Sequence, residues 1–180
     1  MANLSTDILV TTYLEMRSAD QLRPKAVTNE SEPNLHLWRV TSLPKAPDSF
    51  RFNKEMYFRV GEQWRWIDKR PWTDAQWKEY ANAAGLRTFA AFYDGALAGY
   101  YELRGDREGG VEIAYFGLIP EFIGCSLGGV LLTSAIGNAW RITPRPRRVW
   151  VHTCNWDHPQ ALANYQARGM VIYKVEKEKS

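Results

Sequence analysis

Between Glu112 and Leu132 the sequence sets a carboxylate, a proline stop and a glycine-bearing turn in front of an apolar helical run. Val111 to Leu118 is rich in β-branched and aromatic residues and reads as a strand, closed by Pro120. Gly124-Cys125-Ser126-Leu127-Gly128-Gly129 comes next. A helix then begins at once, with Leu127, Val130, Leu131, Ser134 and Ala135 at inward spacing. A helix N-terminus behind such a turn offers a row of backbone N–H groups and the positive end of the helix dipole, which suits phosphate. Glu112 is a carboxylate able to take a proton. An anion cradle beside a base points to chemistry on a phosphate-bearing cofactor. The turn has no Gly-x-Gly-x-x-Gly and no Lys-Ser/Thr after Gly128 or Gly129, so the dinucleotide fingerprint and the P-loop both fail. On the turn alone, glycines kept for tight turning and close helix packing are an equally good reading.

The elements that must position these residues are legible from periodicity and turn chemistry. Residues 8–17 and 35–41 read as strands, and 42–50, with Pro44 and Pro47, as a loop. Asp48 or Ser49 caps a helix to about residue 60, with Phe52, Met56 and Val60 on one face. Thr73 and Gln76 form a capping-box pattern that starts a second helix, which Gly85 ends. Thr88–Tyr93, Ala96–Arg104 and Val111–Leu118 form an antiparallel meander joined by the Asp94-Gly95 turn and the loop 105–110. Arg147–Cys154 is a strand with Val149, Val151 and Thr153 on one face. Asp157 or His158 caps a helix with Pro159 in its first turn, Gly169 ends that helix, and Val171–Val175 is the last strand. Strand, helix, strand over 111–154 is a parallel crossover. The predicted fold class is α+β: a single three-layer domain over 1–180 with a mixed, mostly antiparallel sheet and helices on both faces.

The bulk numbers narrow the function classes. A chain of 180 residues suits one domain with a sizeable core, and a net charge of +3 carries no polyanion stripe, so no nucleic-acid partner is expected. The basic cluster Arg141–Arg148 is broken by Pro144 and Pro146 and reads chiefly as a solvated turn. Two cysteines make no disulfide framework. The N-terminus has no basic n-region, and no apolar run reaches bilayer length, so a cytoplasmic location without membrane association is expected. His36, His152 and His158 make no metal-ligand spacing with Cys125 and Cys154, so no metal is expected. The eight tryptophans fit either core packing or an aromatic pocket.

Leu118-Ile119-Pro120, then Ile123-Gly124-Cys125-Ser126-Leu127-Gly128 and Val130-Leu131-Leu132, resembles the pyrophosphate motif of the GNAT superfamily of N-acetyltransferases. Ala161-Leu-Ala-Asn-Tyr165-Gln-Ala-Arg-Gly169-Met170 resembles the family's closing motif, in the family's order. The match covers about residues 86–175. It implies an acyl-CoA N-acyltransferase fold, with strands and acceptor-side helices over 1–86 and an acetyl-CoA-binding core over 87–180. It also implies a cofactor site of Phe116, Leu118, Ile123, Gly124, Cys125, Ser126, Leu127, Gly128, Gly129 and His158. Phe116 and Leu118 would lend backbone groups to the pantetheine arm. Tyr165 matches the family tyrosine whose hydroxyl protonates the departing thiolate. The strand is similar to those bearing the catalytic glutamate of histone-type members, which makes Glu112 the base; in a regular strand it shares a face with Ala114, Phe116 and Leu118. Ile123 stands where the family has Arg or Gln, Ser126 where it has Gly, and His158 where many members have Asn.

The implied activity is direct acetyl transfer from acetyl-CoA to a primary amine of a small molecule or peptide, with a homodimer left open. A non-catalytic acyl-CoA-binding or sensing protein on the same fold is the alternative. Gly61-Glu62-Gln63-Trp64-Arg65-Trp66 falls in the acceptor region, where Glu62 or Asp68 is placed to hold an ammonium group. Cys125, near a helix N-terminus, is expected to alkylate faster than Cys154 and to be protected by acetyl-CoA. Equal labelling rates would refute that.

Overall fold

The computed structural model describes residues 8–26 and 38–179. Of the expected second strand, residues 35–37, including His36, lie outside the described residues. Among the described residues seven strands form one sheet: β1 (Ile8–Met16), β2 (Trp38–Ser42), β3 (Leu86–Tyr93), β4 (Ala96–Gly105), β5 (Val111–Leu118), β6 (Val149–Cys154) and β7 (Val171–Lys179). Their spatial order is β2-β3-β4-β5-β6-β1-β7, and every pairing is antiparallel except β5 with β6. Asp94 and Gly95 close the β3–β4 hairpin with φ of 51° and 80°, both positive as a two-residue turn with the sheet's twist requires.

Among the described residues four α-helices cover the sheet: α1 (Phe50–Gly61), α2 (Asp74–Asn82), α3 (Gly128–Trp140) and α4 (Ala161–Ala167). Alternate residues of β4 sort the two faces. Tyr101 and Leu103 enter a core with Leu131, Leu132, Ile136 and Tyr165, which places α3 and α4 on one side. Tyr100 packs with Met56 and Val60, and Glu102 accepts hydrogen bonds from Asn53 and Tyr80, which places α1 and α2 on the other. The capping box is present: Gln76 N–H donates to Thr73 Oγ1 at 3.3 Å and Thr73 N–H to Gln76 Oε1 at 2.8 Å. The helix it starts stops at Asn82 rather than running to Gly85.

Two features depart from the regular pattern and shape the groove beside β5. Pairing of β4 with β5 runs Leu103↔Ile113 and then Glu102↔Tyr115, so Ala114 is an extra residue, a β-bulge. Beyond it the side-chain parity reverses. The second feature is β1, which lies between β6 and β7 and not beside β2. The chain leaving β1 crosses the far side of α3 and α4. There Arg23 N–H donates to the Arg168 carbonyl and Lys25 N–H to Thr133 Oγ1, both at 2.9 Å.

Candidate active site

β5 and β6 pair only at Val111↔Val149 and Glu112↔Trp150. Past that point the bulge and the twist part them, and a groove of about 940 Å³ opens between. One wall is β5 from Ile113 to Leu118, and the other carries Val151, His152 and Cys154. The α3 turn and α4 close one end, and the loop Trp64–Asp68 borders the other. Parallel strands that part leave backbone N–H and C=O groups unpaired along the split, free for an extended ligand.

The turn ahead of α3 is left-handed at Gly124 (φ 87°) and Ser126 (φ 60°). A side chain in that region costs about 1–2 kcal/mol, so Ser126 is strained where glycine would not be. The first N–H groups of α3 have no partner within their own helix and face the groove beside Gly128 and Gly129.

Of the site residues read from the sequence, Phe116, Leu118, Ile123, Gly124, Ser126, Leu127, Gly128, Gly129, His158 and Tyr165 line this one groove. Cys125 and Glu112 are not among the lining residues. Cys125 is exposed, so nothing in its placement supports protection by a ligand in the groove. Cys154 is half-buried, and burial pushes its thiol up.

Glu112 requires a correction. The bulge at Ala114 puts it on the α1–α2 face with Tyr115 and Gly117, while Phe116 and Leu118 face α3. It does not share a face with those two residues. Glu112 is 3% exposed. Its Oε2 accepts from Arg104 Nε at 2.9 Å and Nη2 at 2.6 Å, and its Oε1 lies 3.4 Å from His152 Nδ1. Burial pushes its carboxyl up, but the contacts with His152 and Arg104 outweigh that and hold it below the usual carboxylate range. Glu112 is therefore ionised and reaches the groove through His152. The His152 side chain is 47% exposed, and the Tyr13 ring lies 5.7 Å away on its β1 side.

Tyr165 is 6% exposed and packs 6.1 Å from the Phe116 ring on the α3–α4 face. Burial, with Asp157 adding to it, pushes its hydroxyl well above the usual phenol range, so it keeps its proton. Gln160 is the cap residue of α4 and Pro159 precedes the helix, while His158 Nδ1 accepts from Gln160 N–H at 3.1 Å and so holds the turn that leads into it. Asp157 instead closes the end of β6, accepting from Thr153 Oγ1 at 2.7 Å and Cys154 N–H at 2.9 Å. The His158 ring meets Trp64 edge-on at 5.0 Å.

At the other end, Asp68 lines the groove and Glu62 does not. Asp68 accepts from Tyr57 at 2.6 Å and Tyr115 at 3.2 Å, and Lys69 Nζ stands 3.1 Å from it. Burial pushes its carboxyl up, yet these donors outweigh burial and keep it below the usual range. Trp66 packs 5.0 Å from Tyr115, serving both the α1–α2 core and the groove wall. His152, Lys25 and Arg168 were not singled out from the sequence. Only the parity of His152 with Trp150 and Cys154 on β6 hinted at one of them.

A mixed sheet split beside a helix N-terminus, with a buried phenol on one face and a carboxylate–imidazole pair on the other, thus surrounds a single groove. Residues 51–170 match the acetyltransferase (GNAT) family, and the chain belongs to that family. No curated protein sequence matches it. Its fold is similar to a GCN5-related N-acetyltransferase from Sphaerobacter thermophilus (TM-score 0.65, 15% identity, 96% of this chain and 52% of that one). It is also similar to a tandem GNAT protein from the clavulanic acid biosynthesis pathway (TM-score 0.58, 19% identity, 95% and 54%). A third neighbour is an aminoglycoside acetyltransferase from an uncultured soil metagenomic sample (TM-score 0.57, 12% identity, 73% and 86%). The chain thus spans about half the length of the first two.

The family implies acetyl-CoA, and the residues present fit it. A β-carbon on Gly129 would stand 2.7 Å from Lys25 Cδ and 2.9 Å from Arg168 Nη1, so the glycine lets two cationic side chains lie against the start of α3. Among the described residues no three His, Cys, Asp or Glu side chains gather as a metal site, and no helix is long and apolar enough to cross a membrane.

Proposed function

We propose that this acetyltransferase is an acetyl-CoA-dependent N-acetyltransferase whose acceptor is a primary amine of a small molecule or peptide. The observation that carries the reading is the parting of β5 and β6 directly beside the turn and N-terminus of α3. Acetyl-CoA supplies an acetyl group activated as a thioester. The α3 turn and its first N–H groups hold phosphate, and the unpaired β5 backbone near Phe116 and Leu118 takes the pantetheine amides. An N–H of the same strand polarises the thioester oxygen.

Two groups handle protons from opposite faces. His152 takes the proton of the amine, and Glu112, fixed by Arg104, orients its imidazole through Nδ1, so Glu112 is a positioning residue. Tyr165 donates its hydroxyl proton to the departing thiolate. Asp68, an anion between aromatic faces at the open end, holds the acceptor's charge. A family neighbour acts on aminoglycosides, which are polyamines, and an anionic, aromatic acceptor end suits such cations.

Titration calorimetry with acetyl-CoA, followed by CoA release over a panel of amines, tests the reading. Binding with turnover on at least one amine is expected. Binding without turnover on any amine would favour the acyl-CoA-binding alternative, which the missing motif cation at Ile123 keeps in view.

A further inference from the structure

Ile123 stands where the resembled motif has Arg or Gln, and two cationic side chains from elsewhere in the chain approach the start of α3 at Gly129. We infer that Lys25 and Arg168 form the cationic wall of a phosphate site over the first turn of α3, and that the segment after β1 thereby takes part in coenzyme recognition. The inference rests on the acyl-CoA reading of the groove.

Three observations carry it. Arg168 is among the residues that line the groove, and its Nε and Nη1 are buried and, among the described residues, have no hydrogen-bond partner. Buried donors left unpaired are costly, and an anion in the groove would satisfy them. Lys25 is held in place by its backbone: its N–H donates to Thr133 Oγ1 at 2.9 Å, and that hydroxyl donates to the Gly129 carbonyl at 2.8 Å. Lys25 is thus tied to the very turn that its side chain overhangs. Finally, both side chains approach Gly129 more closely than any β-carbon would allow, at 2.7 and 2.9 Å from its ideal position. Neither forms an ion pair among the described residues, and both belong to residues that line the groove. The first N–H groups of α3, at Gly128 and Gly129 beside them, have no partner within their own helix.

The position of β1 explains how this arises. Lodged between β6 and β7, β1 ends beside α4, and the chain leaving it passes Arg168 at Arg23 and α3 at Lys25. The ligand chemistry is a phosphate of the coenzyme, either its pyrophosphate or its 3′-phosphate.

The test is titration calorimetry of the full chain with CoA, dephospho-CoA and inorganic pyrophosphate, comparing wild type with Lys25→Met, Arg168→Met and Arg168→Lys. Thermal melts check folding. Each methionine variant should weaken CoA binding about tenfold or more, and Arg168→Lys less, because it keeps the charge. Equal losses on CoA and dephospho-CoA assign the pyrophosphate; a loss confined to CoA assigns the 3′-phosphate. If Arg168→Met does not fold, Lys25→Met decides, together with a flatter salt dependence of its CoA affinity. Wild-type affinity in Lys25→Met and Arg168→Met, with CoA still bound, overturns the inference and leaves the acyl-CoA reading intact. Pyrophosphate binding that needs both cations, in a wild type that binds no CoA, overturns that reading and keeps the site.

Discussion

At the residue scale the account turns on where protons go. Tyr165 is buried, and its raised hydroxyl pKa keeps it protonated, the form from which an acid must start. Tyr165→Phe should lower turnover about 10²-fold while leaving acetyl-CoA affinity nearly unchanged, as calorimetry beside steady-state rates will show. Unchanged turnover removes the acid role. His152→Gln should cost a similar factor of about 10², whereas Glu112→Gln should cost less, because the imidazole stays. If Glu112→Gln costs more than His152→Gln, the carboxylate is itself the base. Glu112 also has a signature in stability. Its folded pKa is depressed, so the ionised form stabilises the fold above its unfolded value of about 4.3 and loses that effect as pH falls through the folded value. The gap in urea midpoint between wild type and Glu112→Gln should therefore shrink below about pH 4; a constant gap would mean that the ion pairs carry no stability. Ser126→Gly should relieve the left-handed strain and raise stability by about 1 kcal/mol. If it also weakens CoA binding, the serine hydroxyl is a phosphate contact; if stability falls, the turn is not strained. Tyr165 and the glycine turn were legible because their signals are local and ordered along the chain. The orientation of Glu112 was not, since one extra residue at Ala114 reverses the parity that a regular strand would have.

At the element scale, turns and caps were read well where their chemistry is strict. Asp94-Gly95 and Thr73–Gln76 fall where the backbone demands those residue types. Pro159 misled, because the residues between β6 and α4 serve to close the strand end through Asp157 before the helix begins. Gly169 shows how one position ties several elements together. It ends α4 with φ of 98°, and a β-carbon there would meet the Gln21 carbonyl at 2.1 Å. Gly169→Ala must therefore strain the backbone and push away the segment that carries Lys25. A loss of about 2 kcal/mol or more in chemical denaturation is expected, together with weaker CoA binding. A variant as stable as wild type would show that the crossing segment does not lie against α4.

At the scale of the whole molecule, the meander and crossover were legible, and with them the α+β class and helices on both faces. Strand order was not. Nothing in residues 8–16 announces that β1 pairs with β6 and β7, because those pairings span most of the chain and leave no local period. That placement brings Lys25 to a turn more than a hundred residues away, so no spacing rule could have found it. The groove is in turn a property of the whole sheet: the bulge and the twist part β5 and β6, and the other strands hold each on its own side. The most direct test of the central claim is mass-detected acetyl transfer from acetyl-CoA over a panel of small-molecule and peptide amines. The account predicts amine-dependent CoA release matched by an N-acetylated product, and loss of both in Tyr165→Phe. An enzyme that binds acetyl-CoA yet acetylates no amine in the panel would contradict it.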